Sequence, residues 1–205
     1  ASVNFYMFCG GTNFGFFNGS KVLRPFDAAP DDPEKFHCIT TSYDVNALVG
    51  EDGRPTEKYH ACRRELAERR GLPVPTDPLP LPEAQAIGPV ALTERAALFG
   101  QLSALSKPLC SSRPLTMEEA DQGYGYMLYE TRLSGPGFGP LPLHLDGLAD
   151  RAVVYLDGKP LGAVFRGEDR PPLRIVVPEE GLTLSILVEN CGRLSTSHGI
   201  HWERK

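Results

Sequence analysis

Residues 3–9, VNFYMFC, constrain the fold more than any other stretch of the chain. The run is apolar almost without interruption, so it lacks the in-out alternation of a strand with one wet face. A strand of this character is buried on both faces, as in a parallel sheet. Its two flanking strands must be supplied from elsewhere, so the run predicts one member of a larger sheet. Residues 10–40 then read as a loop: glycines at 10, 11, 15 and 19, followed by RPFDAAPDDPEKF. Residues 39–43, ITTSY, are a short β-rich run.

The strongest helical pattern is PTEKYHACRRELAERR, 55–70. Pro55 suits the first helical position, Glu57 the first turn, and Arg69 and Arg70 the last. Tyr59, Cys62 and Leu66 recur at three- and four-residue steps and form one apolar face. Gly71 is the stop signal. The first seventy residues thus predict strand, long loop and helix, a single β/α unit of a barrel or open sheet.

LPVPTDPLPLP, 72–82, cannot continue a helix or enter a central strand, and it reads as a semi-rigid linker. Residues 93–106 read as a short helix or an irregular packing segment. Beyond them come YGYMLYETRL, LPLHLDGL, RAVVYLDGKPLGAVF, PLRIVVP and LTLSILVEN, short strands punctuated by turn residues. DGKP, 157–160, predicts a hairpin turn, because Asp-Gly tolerates positive φ. The fold class is therefore α/β followed by all-β, the second part a β-sandwich or jelly roll. The division is 1–71, linker 72–92, and 93–205. High glycine (21) and proline (19) counts favour such short strands over long helices.

Composition excludes several functions. A net charge of −5 offers no polyanion surface, and the one basic cluster, CRRELAERR, lies within the helical pattern. No stretch has the length of a membrane span, and residues 1–17 lack the marks of a signal peptide. Five scattered cysteines without a CxxC pair read as reduced thiols in a cytoplasmic setting. No cofactor is implied. GGTNFG lacks the Lys-Ser/Thr of a phosphate loop. His37 with Cys38, and His198 with His201, fall short of a four-ligand zinc set. Cys9 is the single candidate for a nucleophilic cysteine. Trp202 reads as cover for a sandwich edge, with sugar stacking as the alternative.

NFYMFCGGTNFGFFNG, followed by TSYD and GRPTEKY, resembles the glycoside hydrolase family 35 β-galactosidases. Their pattern here is close to NxYMFxGGTNFG, then SYDYDAP, then PTEKY before a helix. YGYMLYET, DRAVVYLDGKPLG and LSILVENCGRL resemble the family's first β-domain, so the resemblance covers nearly the whole chain. It implies a catalytic (β/α)8 barrel followed by β-sandwich domains, with 3–9 as the last barrel strand and 55–70 as its last helix. The expectation is a piece of a larger enzyme, cut at both ends, with the remainder of the parent as its partner and homo-oligomerisation open.

The resemblance implies retaining hydrolysis of terminal β-galactosides by two carboxyl groups, and neither glutamate motif occurs here. The chain's own candidates, Asp44, Glu51, Asp52 and Glu57, read as surface or capping carboxylates. No catalytic residue is therefore assigned within the chain. Tyr6 matches the tyrosine of YMF and Tyr43 the first tyrosine of SYDYDAP, which makes both substrate-binding candidates. Packing roles remain open for each. The chain departs from the pattern at Val45, Asn46 and Leu48, where the family has tyrosine, aspartate and proline, and at Cys9, where histidine is frequent. Two other roles stand beside the hydrolase, a carbohydrate-binding module and a structural remnant. The module would require exposed aromatics on the β region. Tyr124 and Tyr126 share a strand face there, with Tyr129 on the opposite one.

Overall fold

The computed structural model describes residues 2–23, 35–39, 41–76, 81, 83–168 and 170–197. His198, His201 and Trp202 lie outside them, as do parts of the proline-rich linker. The chain divides into two compact units, 1–15 with 40–93, and 16–39 with 94–205.

In the first unit residues 3–9 run without a ladder partner. Their hydrogen bonding to the rest of the unit includes an isolated parallel bridge, Cys9 to Val49, and a bond from the Val49 N–H to the Phe8 carbonyl at 2.9 Å. This corrects the expectation of a doubly buried strand. Val3, Tyr6 and Phe8 are exposed, because no described strand lies alongside to cover them. The described residues of ITTSY likewise form no strand; Ser42 makes a single antiparallel bridge to Thr12.

Helix α1 is Glu57–Arg69. Its N-cap is Thr56, whose hydroxyl accepts from the Tyr59 N–H at 3.3 Å, so Pro55 stands outside the helix rather than at its first position. A hydroxyl able to satisfy an orphan N–H outranks proline's preset φ for setting the boundary. The C-terminus closes at Gly71, φ +63°. The Gly71 N–H meets the Glu68 carbonyl and the Leu72 N–H the Ala67 carbonyl, the paired bonds of a Schellman motif. Ala47, Leu48 and Ala67 are this unit's buried apolar residues among those described.

The second unit holds the strands. A four-stranded antiparallel sheet has the order β3 (Tyr126–Leu133), β8 (Leu182–Glu189), β5 (Arg151–Leu156), β6 (Lys159–Phe165). β4 (Phe138–Pro142) pairs with β7 (Arg174–Val177) as a second sheet. Val177 of that pair joins Val154, Leu182 and Leu184 in one buried core, flanked by Leu133, Leu143, Leu145, Leu156, Leu173 and Ile186. Burying an aliphatic side chain of this kind stabilises by about 1.5–3 kcal/mol. Two sheets sharing an apolar layer make the expected sandwich. β5 and β6 are joined through Asp157 and Gly158, at φ +47° and +74°, as a type I′ hairpin requires.

Two expectations differ in detail. LPLHLDGL is not one strand: β4 ends at Pro142, and Leu143 and Leu145 instead turn into the core. Residues 93–106 form a 3-10 turn, Leu98–Gly100, and a one-turn helix α2, Leu102–Leu105. A larger correction falls within 10–40, expected as loop throughout. β1 (Ser20–Leu23) and β2 (Lys35–Cys38) are antiparallel strands there. β1 also pairs in parallel with β9 (Leu194–Ser197), giving the order β2-β1-β9. Four-residue strands with no apolar alternation take their stability from long-range pairing, so local pattern does not mark them. No helix among the described residues is long and apolar enough to cross a membrane.

Candidate functional site

The glycine-aromatic loop after residue 9 is sewn to residues 41–43 by backbone bonds. The Asn13 N–H donates to the Thr41 carbonyl at 2.7 Å and the Tyr43 N–H to the Gly11 carbonyl at 3.0 Å. Gly10 permits this approach: a Cβ there would stand 1.6 Å from the Tyr43 carbonyl oxygen. Any side chain at position 10 would push Tyr43 out of place. The two sequence candidates thus reach one unit from different stretches of chain. The Tyr43 side chain is half-buried, and Tyr6, four residues before Gly10, is 83% exposed.

Residues 44–47 form a tight turn. The Ala47 N–H donates to both the Asp44 carbonyl and its Oδ1, each at 3.0 Å. Val45 and Asn46 between them have φ of +47° and +57°. Two central residues in the left-handed region are the signature of a type I′ turn, which suits Asn, Asp or Gly. A β-branched residue there is strained. Val45 is also largely exposed. The Lys58 ammonium, in the first turn of α1, donates to the Asn46 carbonyl at 2.6 Å and pins the turn. Leu48 is buried at 3% exposure, and its carbonyl accepts from both the Thr56 N–H and hydroxyl. It anchors the turn to the helix start.

Asp44 and Asp52 among the candidate carboxylates hold local backbone bonds. Asp44 caps the turn. Asp52 accepts from the Arg54 N–H at 3.0 Å and pairs with its guanidinium at 3.4 Å. Glu57 is the acidic residue of the first helical turn, and Glu51 is exposed in the loop before it. Cys9 is exposed. Among the described residues no group of three or more His, Cys, Asp or Glu could hold a metal ion.

A second surface belongs to the other unit. Tyr124 and Tyr126 are each about half exposed, and the Tyr129 hydroxyl instead donates to the Leu115 carbonyl at 2.7 Å. Two phenylalanines of the glycine-aromatic loop join the exposed pair. Phe17 lies 4.7 Å from Tyr124, and Phe16 meets Tyr126 edge-on at 5.3 Å. Partial burial raises the Tyr126 phenol above its ordinary range, with the Glu189 carboxylate adding to the effect. Burial does the same for Tyr129. Sequence alternation places Tyr124 and Tyr126 on one strand face, but β3 begins at Tyr126 and Tyr124 lies just before it. Alternation cannot find Phe16 and Phe17 as their neighbours, because contact between positions a hundred residues apart leaves no local signal.

Residues 1–69 match the family described as "Glycosyl hydrolases family 35", and residues 114–205 match "Beta-galactosidase, first all-beta domain". The second match falls on the unit that holds the two-sheet sandwich. The chain is thus similar to glycosyl hydrolase family 35 over its first third and to beta-galactosidases over most of its length. It is 38% identical over 194 residues to a beta-galactosidase of Xanthomonas manihotis, covering 95% of this chain and 30% of that protein. It is 37% identical over 199 residues to the beta-galactosidase-1-like protein of Mus musculus, 95% of this chain and 29% of the relative. The Homo sapiens beta-galactosidase is 38% identical over 199 residues, again 95% of this chain and 27% of the relative. The chain therefore spans about three tenths of the length of the curated relatives it matches.

Proposed function

We propose that this chain is part of a retaining β-galactosidase that hydrolyses terminal β-galactosides. The observation that carries the proposal is continuous similarity, 95% of the chain aligned with proteins named beta-galactosidase. Residues 1–71 would be the C-terminal part of the catalytic (β/α)8 barrel and 93–205 the accessory β-domain. Barrel active faces lie at the C-terminal ends of the strands, which is where Gly10 and the loop sewn to Tyr43 would stand. Tyr6 and Tyr43 would form one wall of the sugar site, their rings against the apolar face of a pyranose and their hydroxyls bonding its own.

Retaining hydrolysis needs two carboxyl groups about 5–5.5 Å apart. Asp44 and Asp52 are committed to local backbone bonds, so the chain by itself is inactive and the catalytic pair is contributed from outside residues 1–205. The five cysteines, none of them in a disulfide bond, fit a reducing, cytoplasmic setting. The test has two parts. Peptide mapping of the native polypeptide is expected to return peptides upstream of Ala1, and that polypeptide is expected to cleave a chromogenic β-galactoside. The 205-residue chain alone is expected to show no saturable turnover. Turnover by the isolated chain, or a native polypeptide inert towards β-galactosides, overturns the proposal.

A second reading, a carbohydrate-binding module, is favoured by the Phe16, Phe17, Tyr124 and Tyr126 cluster. Exposed rings carrying phenolic hydroxyls suit an amphipathic sugar. Titration of the isolated chain with lactose distinguishes the readings: a module binds it and loses binding in Tyr124→Ala, whereas a wall of a divided site does not bind.

A further inference from the structure

Lys58 stands where its charge gains nothing from the helix that carries it. It is the second residue of α1, in a first turn whose orphan N–H groups favour acids, such as the Glu57 beside it, over cations. A residue that breaks this local rule is expected to be compensated by a contact elsewhere. That contact is the Asn46 carbonyl, which accepts from the Lys58 ammonium at 2.6 Å. The peptide unit joining Asn46 to Ala47 is thereby held at both ends. Its N–H donates to the Asp44 carbonyl and to Asp44 Oδ1, each at 3.0 Å, and its carbonyl is held by Lys58. Because a peptide unit is planar, the bonds at its two ends fix one orientation.

We propose that Lys58 is a positioning residue for the sugar site: it holds the 44–47 turn in its left-handed form and so fixes the wall that Tyr43 and position 45 present to a galactoside. The inference rests on the proposed hydrolase function. Val45 at φ +47° and Asn46 at φ +57° need such a hold. A β-branched residue resists that region, and relaxation of Val45 to negative φ would swing the Asn46–Ala47 unit away from its partners. The neighbouring backbone carries the turn's position onward. The Tyr43 N–H donates to the Gly11 carbonyl at 3.0 Å and the Val49 N–H to the Phe8 carbonyl at 2.9 Å. The turn is thus tied on one side to the glycine-aromatic loop and on the other to the run that carries Tyr6. Thr56 adds a second tether from the helix start, donating to the Leu48 carbonyl through its N–H at 3.0 Å and its hydroxyl at 2.9 Å.

Lys58 acts through the backbone and touches no reacting atom. Its loss therefore weakens the grip on the galactoside equally in the ground state and the transition state, which raises KM and leaves kcat little changed. Stability moves the other way. Removing a cation from the first helical turn relieves its opposition to the helix dipole, so α1 is not weakened by the same substitution. A lysine with a merely structural role would couple the two readouts; a positioning lysine separates them.

The test uses the native polypeptide that carries these residues and a chromogenic β-galactoside. Lys58→Met is expected to raise KM about five- to tenfold with kcat within about twofold of wild type. Lys58→Arg, which keeps a cationic donor, is expected to recover most of the affinity. In a Val45→Asn background the turn no longer needs the tether, and Lys58→Met is expected to raise KM less than about twofold, a coupling that a double-mutant cycle reads directly. Hydrogen exchange reports on the turn itself. The Ala47 amide is expected to exchange faster in Lys58→Met, with the Arg70 and Leu72 amides at the far end of α1 unchanged. Unchanged Ala47 exchange, faster exchange with KM unmoved, or the same KM penalty in both backgrounds overturns this inference and leaves the hydrolase reading standing. A wild-type polypeptide inert towards β-galactosides overturns that reading and this inference with it.

Discussion

Residues 3–9 and β8 both read as strands, and the molecule treats them in opposite ways. β8 lies between β3 and β5 with full antiparallel ladders on both sides, and Leu182, Leu184 and Ser185 are buried. Residues 3–9 include just one isolated bridge, and three of their large apolar side chains are exposed. Their sequences do not explain this contrast, since the exposed run is the more apolar. An apolar strand states a demand for neighbours; whether it is buried depends on strands that the run itself does not encode. The second unit contains its own neighbours. The first unit has buried residues at the 47–48 turn and on α1, and its most apolar segment lies outside that small core.

The sharpest way to break this comparison is to remove equivalent apolar mass from both places. Leu184→Ala should cost about 2–5 kcal/mol, the transfer free energy of the lost atoms plus the cavity they leave. Phe8→Ala should cost under about 1.5 kcal/mol, because the ring is about half exposed and its described aromatic partner is Tyr59, edge-on at 6.2 Å. Urea titration followed by far-UV circular dichroism measures both. Equal losses would mean that residues 3–9 are packed far more tightly than their exposure indicates.

A smaller effect separates the helix from the run beside it. Thr56→Ala removes the acceptor of the Tyr59 N–H and a hydroxyl bonded to the Leu48 carbonyl at 2.9 Å. The expected cost is about 1 kcal/mol. It should appear as faster hydrogen exchange at the first-turn amides of α1, with the β8 amides unchanged. Exchange accelerating equally in both places would contradict the division into two units.

What the sequence discloses follows the range of the interactions involved. α1 is legible because its signals are local: an apolar face at Tyr59, Cys62 and Leu66, and a glycine stop. Even there the start is misread by two residues, because Pro55 advertises a helix position that Thr56's hydroxyl overrides. The β5–β6 hairpin is legible for the same reason, Asp157-Gly158 being a two-residue turn with its own chemistry. β1 and β2 are not, since Ser20–Leu23 is a strand by virtue of β9, reached from the far end of the chain. The same holds for the aromatic surface. Alternation marks Tyr124 and Tyr126 as neighbours although β3 starts only at Tyr126; Phe16 and Phe17 require the folded unit.

Val45 tests the turn and the proposed sugar site separately. At φ +47° its branched side chain is held in a conformation that typically costs about 1–3 kcal/mol. Asparagine tolerates that region, so Val45→Asn should recover part of the strain, about 0.5–1 kcal/mol, seen as a raised urea midpoint for the first unit. Under the proposed function Val45→Tyr makes a different prediction. It restores the hydroxyl that the family pattern places here. A buried hydrogen bond of this kind is worth on the order of 1–3 kcal/mol, so galactose affinity of the full polypeptide should rise by about five- to 150-fold. Asparagine, shorter and without the phenol, should leave that affinity unchanged while still steadying the turn. Calorimetric titration with galactose compares the two. If they tighten binding equally, relief of backbone strain is the cause and position 45 does not contact the sugar; if the tyrosine alone does so, the turn is part of the wall that Tyr6 and Tyr43 begin.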